Sequence, residues 1–222
     1  MTAELGWRKA LDGHFPPWIK VPYTVFVGLL VPVYWVAHGP ANFLWFSDVA
    51  LFGVLIVLWF EHRLLASMMA LGVLLPELAW NVGFFGKLLT GTDVVGLAGY
   101  MFDPSIPLAV RGLSLFHVFL PPLLLWTVYR LGYDERALRA QTLLAWAVLP
   151  ASALVATPEN NVNWALGWGD HVPQPWMPGW LWVGFLMAAF PLVVYLPTDR
   201  LLRKWPGPRP GREDGPSRSP PR

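Results

Sequence analysis

Four polar side chains in apolar surroundings have the types needed for nucleophilic chemistry: Ser47, Asp48, Glu77 and His117. The chain has no cysteine, so the hydroxyl of Ser47 is the candidate nucleophile. A serine reacts only when a neighbouring base takes its proton, and a carboxylate can orient that base. We therefore predict Ser47 as nucleophile, His117 as base, and Glu77 or Asp48 as the orienting carboxylate.

A second group of polar residues could bind a substrate around that site. A developing oxyanion is stabilised by positioned hydrogen-bond donors and cations. Arg111, Asn81 and Asn163 offer such groups, and we assign Asn161 and His38 to substrate binding with them. We predict no metal ion and no cofactor, because the chain lacks the HExxH and clustered HxxxH patterns of zinc sites.

The composition places these residues in a membrane protein. Of 222 residues, 55% are hydrophobic and only 14% are charged, whereas soluble domains carry about 25% charged residues. The apolar residues are grouped in blocks about twenty residues long, the length of bilayer-spanning helices. This pattern excludes a soluble enzyme.

Hydropathy predicts an all-α bundle of six transmembrane helices, at roughly 21–38, 42–60, 64–85, 106–129, 141–156 and 178–196. We expect three regions: an N-terminal segment at 1–20, the six-helix domain at 21–197, and a disordered basic tail at 198–222, which is rich in proline, glycine and arginine. Fourteen of the sixteen lysines and arginines fall on one side of this bundle, and the other two are Lys87 and Arg111. The positive-inside rule therefore places both termini in the cytoplasm.

The polar residues of helices two, three and four share one half of the bilayer. At a rise of about 1.5 Å per residue they lie roughly 6 to 16 Å below the non-cytoplasmic surface. Because ionisable groups at this depth are costly, we expect them to share a partly hydrated cavity. The alternative is structural: Asp48 or Glu77 pairs with Arg111, and the other groups form interhelical hydrogen bonds.

Three segments carry a family resemblance: HGPANFLWFSDVALF, GLSLFHVFLPPLLLW, and PENNVNWALG followed by PQPWMPGWLWVGFLMAAFPLVVYLP. Their order and spacing are similar to the polytopic transmembrane acyltransferase and androgen-induced hydrolase superfamily. In that group a threonine or cysteine on helix two and a later histidine act on acyl esters of lipids. The resemblance implies that Ser47 occupies the nucleophile position and His117 the base position. It also matches Asn161 and Asn163 to a late asparagine-aromatic motif.

These observations predict an integral membrane protein that hydrolyses or transfers lipid acyl esters. Two alternatives stay open: a proton-coupled small-molecule transporter with Asp48, Glu77 and His117 as its relay, or a non-catalytic structural membrane protein. We expect membrane lipids as partners and no nucleic acid, because the basic residues follow the loops and form no stripe. A short chain without an organelle address favours a bacterial plasma membrane.

Overall fold

The structure, a computed structural model, describes residues 14–92, 94–168 and 174–204. Its helices are α1 (Pro17–His38), α2 (Phe46–Phe60), α3 (Arg63–Thr90), α4 (Leu108–Leu113), α5 (Phe116–Leu131), α6 (Ala137–Val155), α7 (Gly179–Ala189) and α8 (Leu196–Leu202). Short 3-10 helices cover Pro40–Leu44, Gly99–Phe102 and Val162–Trp164, and a π-helical turn at Phe190–Tyr195 joins α7 to α8.

Five stretches are long and apolar enough to cross a membrane, and they identify an integral membrane protein. They are α1, α3, Leu108–Leu131, α6 and Gly179–Leu202. The second predicted span is shorter, because α2 has 15 residues and is therefore about 22 Å long, against a hydrocarbon core of about 30 Å. The prediction of an all-helical membrane protein is confirmed for the described residues. The sixth crossing and the cytoplasmic position of both termini stay predictions.

Helix α2 runs back along α1 toward the start of that helix. The Tyr23 hydroxyl donates to the Leu51 carbonyl at 2.9 Å, and the Trp59 indole donates to Thr24 at 2.9 Å. Beyond α2, the Glu61 carboxylate lies 2.8 Å from the His14 ring and 3.9 Å from the Lys20 ammonium. Residue 61 therefore returns to the level of residues 14 to 20, which we call the N-terminal end of the bundle.

Helix α3 forms the centre of the bundle and packs against α2, α5 and α6. Small residues let the helices approach closely, as is common where membrane helices pack. Gly72 faces the Gln141 amide on α6, and Gly53 on α2 faces the Met69 side chain, so that a methyl group at either glycine would collide with its neighbour. The buried apolar side chains of α1, α2, α3, α5 and α6 belong to one continuous core, apart from Trp80 of α3, which packs with Ala98 and Met101 in a second cluster.

A polar network closes the N-terminal end of the bundle between the loop after α5 and helix α8. We call it the terminal network; its members are Tyr133, Asp134, Glu135, Arg136, Asp199 and Arg203. Arg203 binds Asp199 at 2.6 Å and Glu135 at 3.0 Å, and Tyr133 donates to Asp199 at 2.7 Å. Arg136 binds Asp134 at 2.8 Å. Each carboxylate of this network therefore has a guanidinium partner.

The terminal network explains why the predicted domain boundary at 197/198 lies inside a helix. Thr198, Asp199 and Leu202 are buried, and α8 continues to Leu202. The composition predicts the end of the bundle at 197, and α8 carries Asp199 and Arg203 beyond it into contact with the loop after α5. The first span likewise begins at Pro17, since proline is favoured at the start of a helix. Residues 1–13 and the remainder of the predicted tail, 205–222, lie outside the described residues.

Candidate functional site

Polar side chains from four helices and the segment between α4 and α5 meet at the end of the bundle opposite the terminal network. We call this group the inner cluster; it comprises Tyr34, Asp48, Glu77, Asn81, Ser114 and His117. Asp48, Glu77 and Ser114 are buried, at 3%, 2% and 4% exposure. Helices α1, α2 and α5 contribute residues near the ends that face this part of the bundle.

Glu77 and His117 form a hydrogen-bonded dyad within the inner cluster. The His117 Nδ1 atom lies 2.7 Å from Oε2 of Glu77, and the histidine side chain is only 13% exposed. The structure therefore brings His117 together with Glu77, one of the two carboxylates predicted to orient it. Their roles as base and orienting carboxylate stay predictions. When Nδ1 donates its proton to the carboxylate, Nε2 is the basic nitrogen. No hydrogen bond joins Nε2 to another of the described residues.

Aromatic rings hold the His117 imidazole in place. The ring stacks on Trp80 with centroids 4.5 Å apart and on Phe116 with centroids 4.0 Å apart. Trp80 is 5% exposed and was not among the predicted site residues. Its spacing of three residues from Glu77 puts both on one face of α3. That spacing is the signal by which Trp80 could have been added to the site.

The Asn81 side chain replaces a backbone hydrogen bond that Pro121 removes next to His117. Pro121 has no N–H, so the His117 carbonyl loses its usual helical donor. The Asn81 amide donates to this carbonyl at 2.7 Å and to the Glu77 carbonyl at 2.8 Å. Asn81 therefore ties α3 to α5 at the dyad, and both of its amide hydrogens are used in doing so. Its predicted contact with substrate stays a prediction.

Asp48 is a buried carboxylate without a cationic partner among the described residues. Its Oδ1 atom has no hydrogen-bond partner, and Glu77 is close enough to act on it electrostatically. Asp48 lies in the first turn of α2, where free backbone N–H groups and the helix dipole favour a negative charge. This position partly offsets the cost of burial and leaves one oxygen available.

Arg111 does not neutralise either inner carboxylate. Its Nη1 atom donates to the Met101 carbonyl at 3.0 Å, and its Nε atom is buried without a hydrogen-bond partner. Within the described part of the chain, no ion pair joins Arg111 to Asp48 or Glu77. The structural alternative, in which Arg111 pairs with one of them, is therefore wrong for the described residues. Arg111 still lies beside the cluster, one turn before Ser114 on the chain.

Two tyrosines complete the polar surroundings. The Tyr34 hydroxyl lies 2.6 Å from the Ser114 hydroxyl, and its ring packs edge-on against His38 at 5.1 Å. Tyr100 follows in the loop before α4, where burial raises its pKa to about 12. Sequence reasoning missed both tyrosines. The spacing of Tyr34 and His38, one turn apart at the end of α1, was the available signal.

The remaining predicted residues surround the cluster with different kinds of contact. Ser47 is half-buried next to Asp48, and no hydrogen bond joins it to His117 among the described residues. His38 is exposed, and its carbonyl accepts from Asn160 at 3.5 Å. The nucleophile role of Ser47 and the substrate role of His38 stay predictions.

Asn161 and Asn163 organise the last loop. Asn163 accepts from the Phe46 N–H at 3.1 Å and donates to the Leu44 carbonyl at 2.7 Å and to Ser152 at 3.0 Å. It thereby caps the start of α2, and its φ of 53° is one that asparagine tolerates well. Asn161 accepts from Leu166 N–H at 2.8 Å and donates to Gly167 at 2.9 Å. The loop is therefore packed between α2 and α6, and the substrate contacts of both asparagines stay predictions.

The burial of the inner cluster differs from the open, hydrated cavity that we expected. Its carboxylates are nearly inaccessible to solvent, and the apolar groove that the structure shows lies elsewhere, between α1 and α5. Among the described residues, no three His, Cys, Asp or Glu side chains converge as a metal site would require. Chemically, an imidazole held by a carboxylate at Nδ1 can accept or donate a proton at Nε2.

Comparisons with known proteins identify no relative of this chain. No family model, no curated protein and no solved structure matches it.

Proposed function

We propose that this integral membrane protein is an intramembrane hydrolase or acyltransferase that acts on acyl esters of membrane lipids. The observation that carries the proposal is the 2.7 Å contact between His117 Nδ1 and Glu77 inside the bundle. A carboxylate that holds one nitrogen of an imidazole orients the other toward a nucleophile and stabilises the imidazolium that forms. Burying a histidine and a carboxylate inside a membrane bundle costs stability, and a purely structural role gives no reason to accept that cost.

In the proposed reaction, the Ser47 hydroxyl oxygen attacks the ester carbonyl while His117 Nε2 takes the hydroxyl proton. The ester bond then breaks, His117 returns the proton to the leaving alcohol, and the acyl group stays on Ser47. Water, or the hydroxyl of a second lipid, attacks the acyl-serine and releases it with the same proton transfers. The unpartnered Arg111 Nε is the donor that we assign to the developing oxyanion.

The test is covalent labelling of the full chain in lipid nanodiscs by a fluorophosphonate that carries an acyl chain. We expect labelling of the native protein, loss in Ser47→Ala, and loss in His117→Ala. Ser105→Ala, in an exposed loop, is the matched control and should label normally. Labelling that survives in Ser47→Ala would remove the nucleophile assignment, and labelling that survives in both site variants would overturn the proposal.

Asp48 supports a second candidate, a proton-coupled carrier. A buried carboxylate with one unpartnered oxygen beside Glu77 is a proton-binding arrangement that ester chemistry does not need. In proteoliposomes containing a pH dye, this candidate predicts substrate-driven proton uptake that Asp48→Asn abolishes. The hydrolase predicts no such uptake, and it predicts retention of fluorophosphonate labelling in Asp48→Asn.

We also propose that α2 crosses the membrane as a sixth span, with both termini in the cytoplasm of a bacterial cell. The contacts of Glu61 with His14 and Lys20 support a complete return of the chain. Because the chain has no cysteine, single cysteines can be introduced without background. An impermeant maleimide should label Glu159→Cys in intact cells and Arg139→Cys only after permeabilisation. The reverse pattern, or labelling of both in intact cells, would contradict this topology.

A further inference from the structure

An apolar groove runs along the outside of the bundle between α1 and α5, in the half that holds the terminal network. Its volume is about 550 Å³, within the range of about 300 to 1,000 Å³ typical of small-molecule sites, and its lining is almost entirely apolar. On α1 it is lined by Trp18, Pro22 and Phe26, which are spaced four residues apart on one face. The groove therefore extends along the helix axes and not across them.

The walls of the groove are held by contacts inside the bundle. Tyr23, at its floor, is buried and donates to the Leu51 carbonyl at 2.9 Å. At one end the Phe26 and Phe119 rings, which both line the groove, meet edge-on at 5.2 Å. At the other end the Trp126 ring packs edge-on against buried Phe15 at 5.1 Å. The groove is thus formed before any ligand arrives.

A basic residue extends the groove toward the membrane surface. Pro122 and Trp126 line the groove on α5, and Arg130 follows at the same four-residue spacing. Arg130 is exposed and makes no hydrogen bond or ion pair with the other described residues. Lys20, by contrast, is buried beside Glu61 and Trp59. Among the described residues, Arg130 is therefore an exposed positive charge one helical turn beyond Trp126 at this end of the groove.

We propose that the groove binds one acyl chain of an anionic phospholipid, whose headgroup phosphate contacts Arg130. The lining excludes a polar ligand, and the surrounding bilayer supplies acyl chains of matching chemistry. A guanidinium binds phosphate through charge-assisted hydrogen bonds, and a basic residue at the surface attracts anionic lipids over neutral ones. This site lies in the other half of the bundle from the dyad and does not depend on the proposed reaction.

The experiment is native mass spectrometry of the full chain released from detergent with dioleoyl phosphatidylglycerol or dioleoyl phosphatidylcholine. We expect one retained phosphatidylglycerol per protein. Arg130→Ala should reduce its apparent affinity by about fivefold, the equivalent of about 1 kcal/mol per basic residue at the surface. Pro22→Trp, which places an indole in the groove from an exposed position, should abolish retention.

Two variants at the same end of the bundle are matched controls. Arg139→Ala removes an exposed arginine of α6, and Leu143→Trp adds an indole to the lipid-facing surface of that helix; both should bind phosphatidylglycerol as the native chain does. Equal retention by all five proteins, equal binding of phosphatidylcholine, or a dimer of the chain in place of a lipid adduct would overturn the proposal.

Discussion

The carboxylates of the terminal network and those of the inner cluster differ in whether they are paired with a guanidinium. In the terminal network, Asp134 binds Arg136, and Arg203 binds both Asp199 and Glu135. In the inner cluster, by contrast, the Glu77 carboxylate contacts the His117 imidazole, Asp48 has no cationic partner among the described residues, and Arg111 donates to a backbone carbonyl.

This difference in pairing distinguishes residues that stabilise the bundle from residues that can take part in a reaction. A carboxylate paired with a guanidinium has its charge neutralised and its oxygens occupied, so it contributes to packing and offers no chemistry. A carboxylate buried without a cation costs stability. A buried carboxylate without a cation in the inner cluster therefore favours a chemical role for that cluster. The terminal network has no such carboxylate among its members, which favours a structural role for the network.

The largest expected effect is on activity. Glu77→Gln replaces the charged acceptor of His117 Nδ1 with a neutral amide that does not stabilise the imidazolium. We therefore expect the rate of acyl-ester cleavage to fall by about 100- to 10,000-fold, the usual contribution of general acid–base catalysis. Hydrolysis of a fluorogenic lipid ester in nanodiscs measures it. Asp199→Asn, in the terminal network, is the control and should keep the native rate. A loss of rate as large as that of Glu77→Gln would contradict the assignment of different roles to the two regions.

The second test concerns the backbone of the inner cluster. Asn81→Ala leaves the His117 carbonyl without a donor, and we expect the free energy of unfolding to fall by about 1 to 3 kcal/mol. Pro121→Ala restores a backbone N–H at the helical position. The double variant should therefore recover most of the loss, as a double-mutant cycle in detergent would show. Strictly additive losses would contradict this account of Asn81.

Neutralising a carboxylate should destabilise the protein in the terminal network but not in the inner cluster. Asp199→Asn removes the charge that binds Arg203 and Tyr133, and we expect a loss of about 1 to 2 kcal/mol because Arg203 can still reach water. Asp48→Asn removes a carboxylate that has no cation, and the midpoint of thermal unfolding should stay the same or rise. Equal destabilisation by both variants would show that the inner carboxylate is compensated after all.

The smallest effect is a pH dependence confined to the terminal network. The hydrogen bond from Arg136 lowers the pKa of Asp134. A carboxyl whose folded pKa is depressed contributes stability above its unfolded pKa, about 3.9, and loses that contribution as the pH falls through the folded value. Arg136→Gln should therefore flatten the decline in thermal stability below about pH 4. Glu159→Gln, at an exposed loop position, should leave that decline unchanged.

Much of the inner cluster could be predicted because intramembrane polar residues are rare. Glu77, Asn81 and His117 stand out in apolar segments, and their depth along the helices follows from counting residues. The pairing of Glu77 with His117 was one of several that the count allowed. Which carboxylate meets the histidine depends on how α3 and α5 are rotated against each other, and rotation is decided by packing that no single segment encodes.

Other features could not be predicted for reasons that differ by residue. Tyr34 and Trp80 have ordinary roles in membrane helices, so their type carries no signal of a site. Asn163 was assigned to substrate, yet its amide caps α2 from a position 117 residues along the chain. The composition after residue 197, rich in proline, glycine and arginine, gives no sign that Asp199 is buried against the loop after α5.

The sequence by itself determined that this chain is helical and apolar enough to enter a membrane, because these properties depend on local composition. The fixed rise of a helix also predicted that a histidine and two carboxylates lie at similar depth on three of its helices. Only the tertiary structure decided that Glu77 binds His117, that Arg111 binds neither carboxylate, and that α8 is locked to the loop after α5. Those outcomes depend on distances between segments far apart in the chain, which are set by the packing of whole helices.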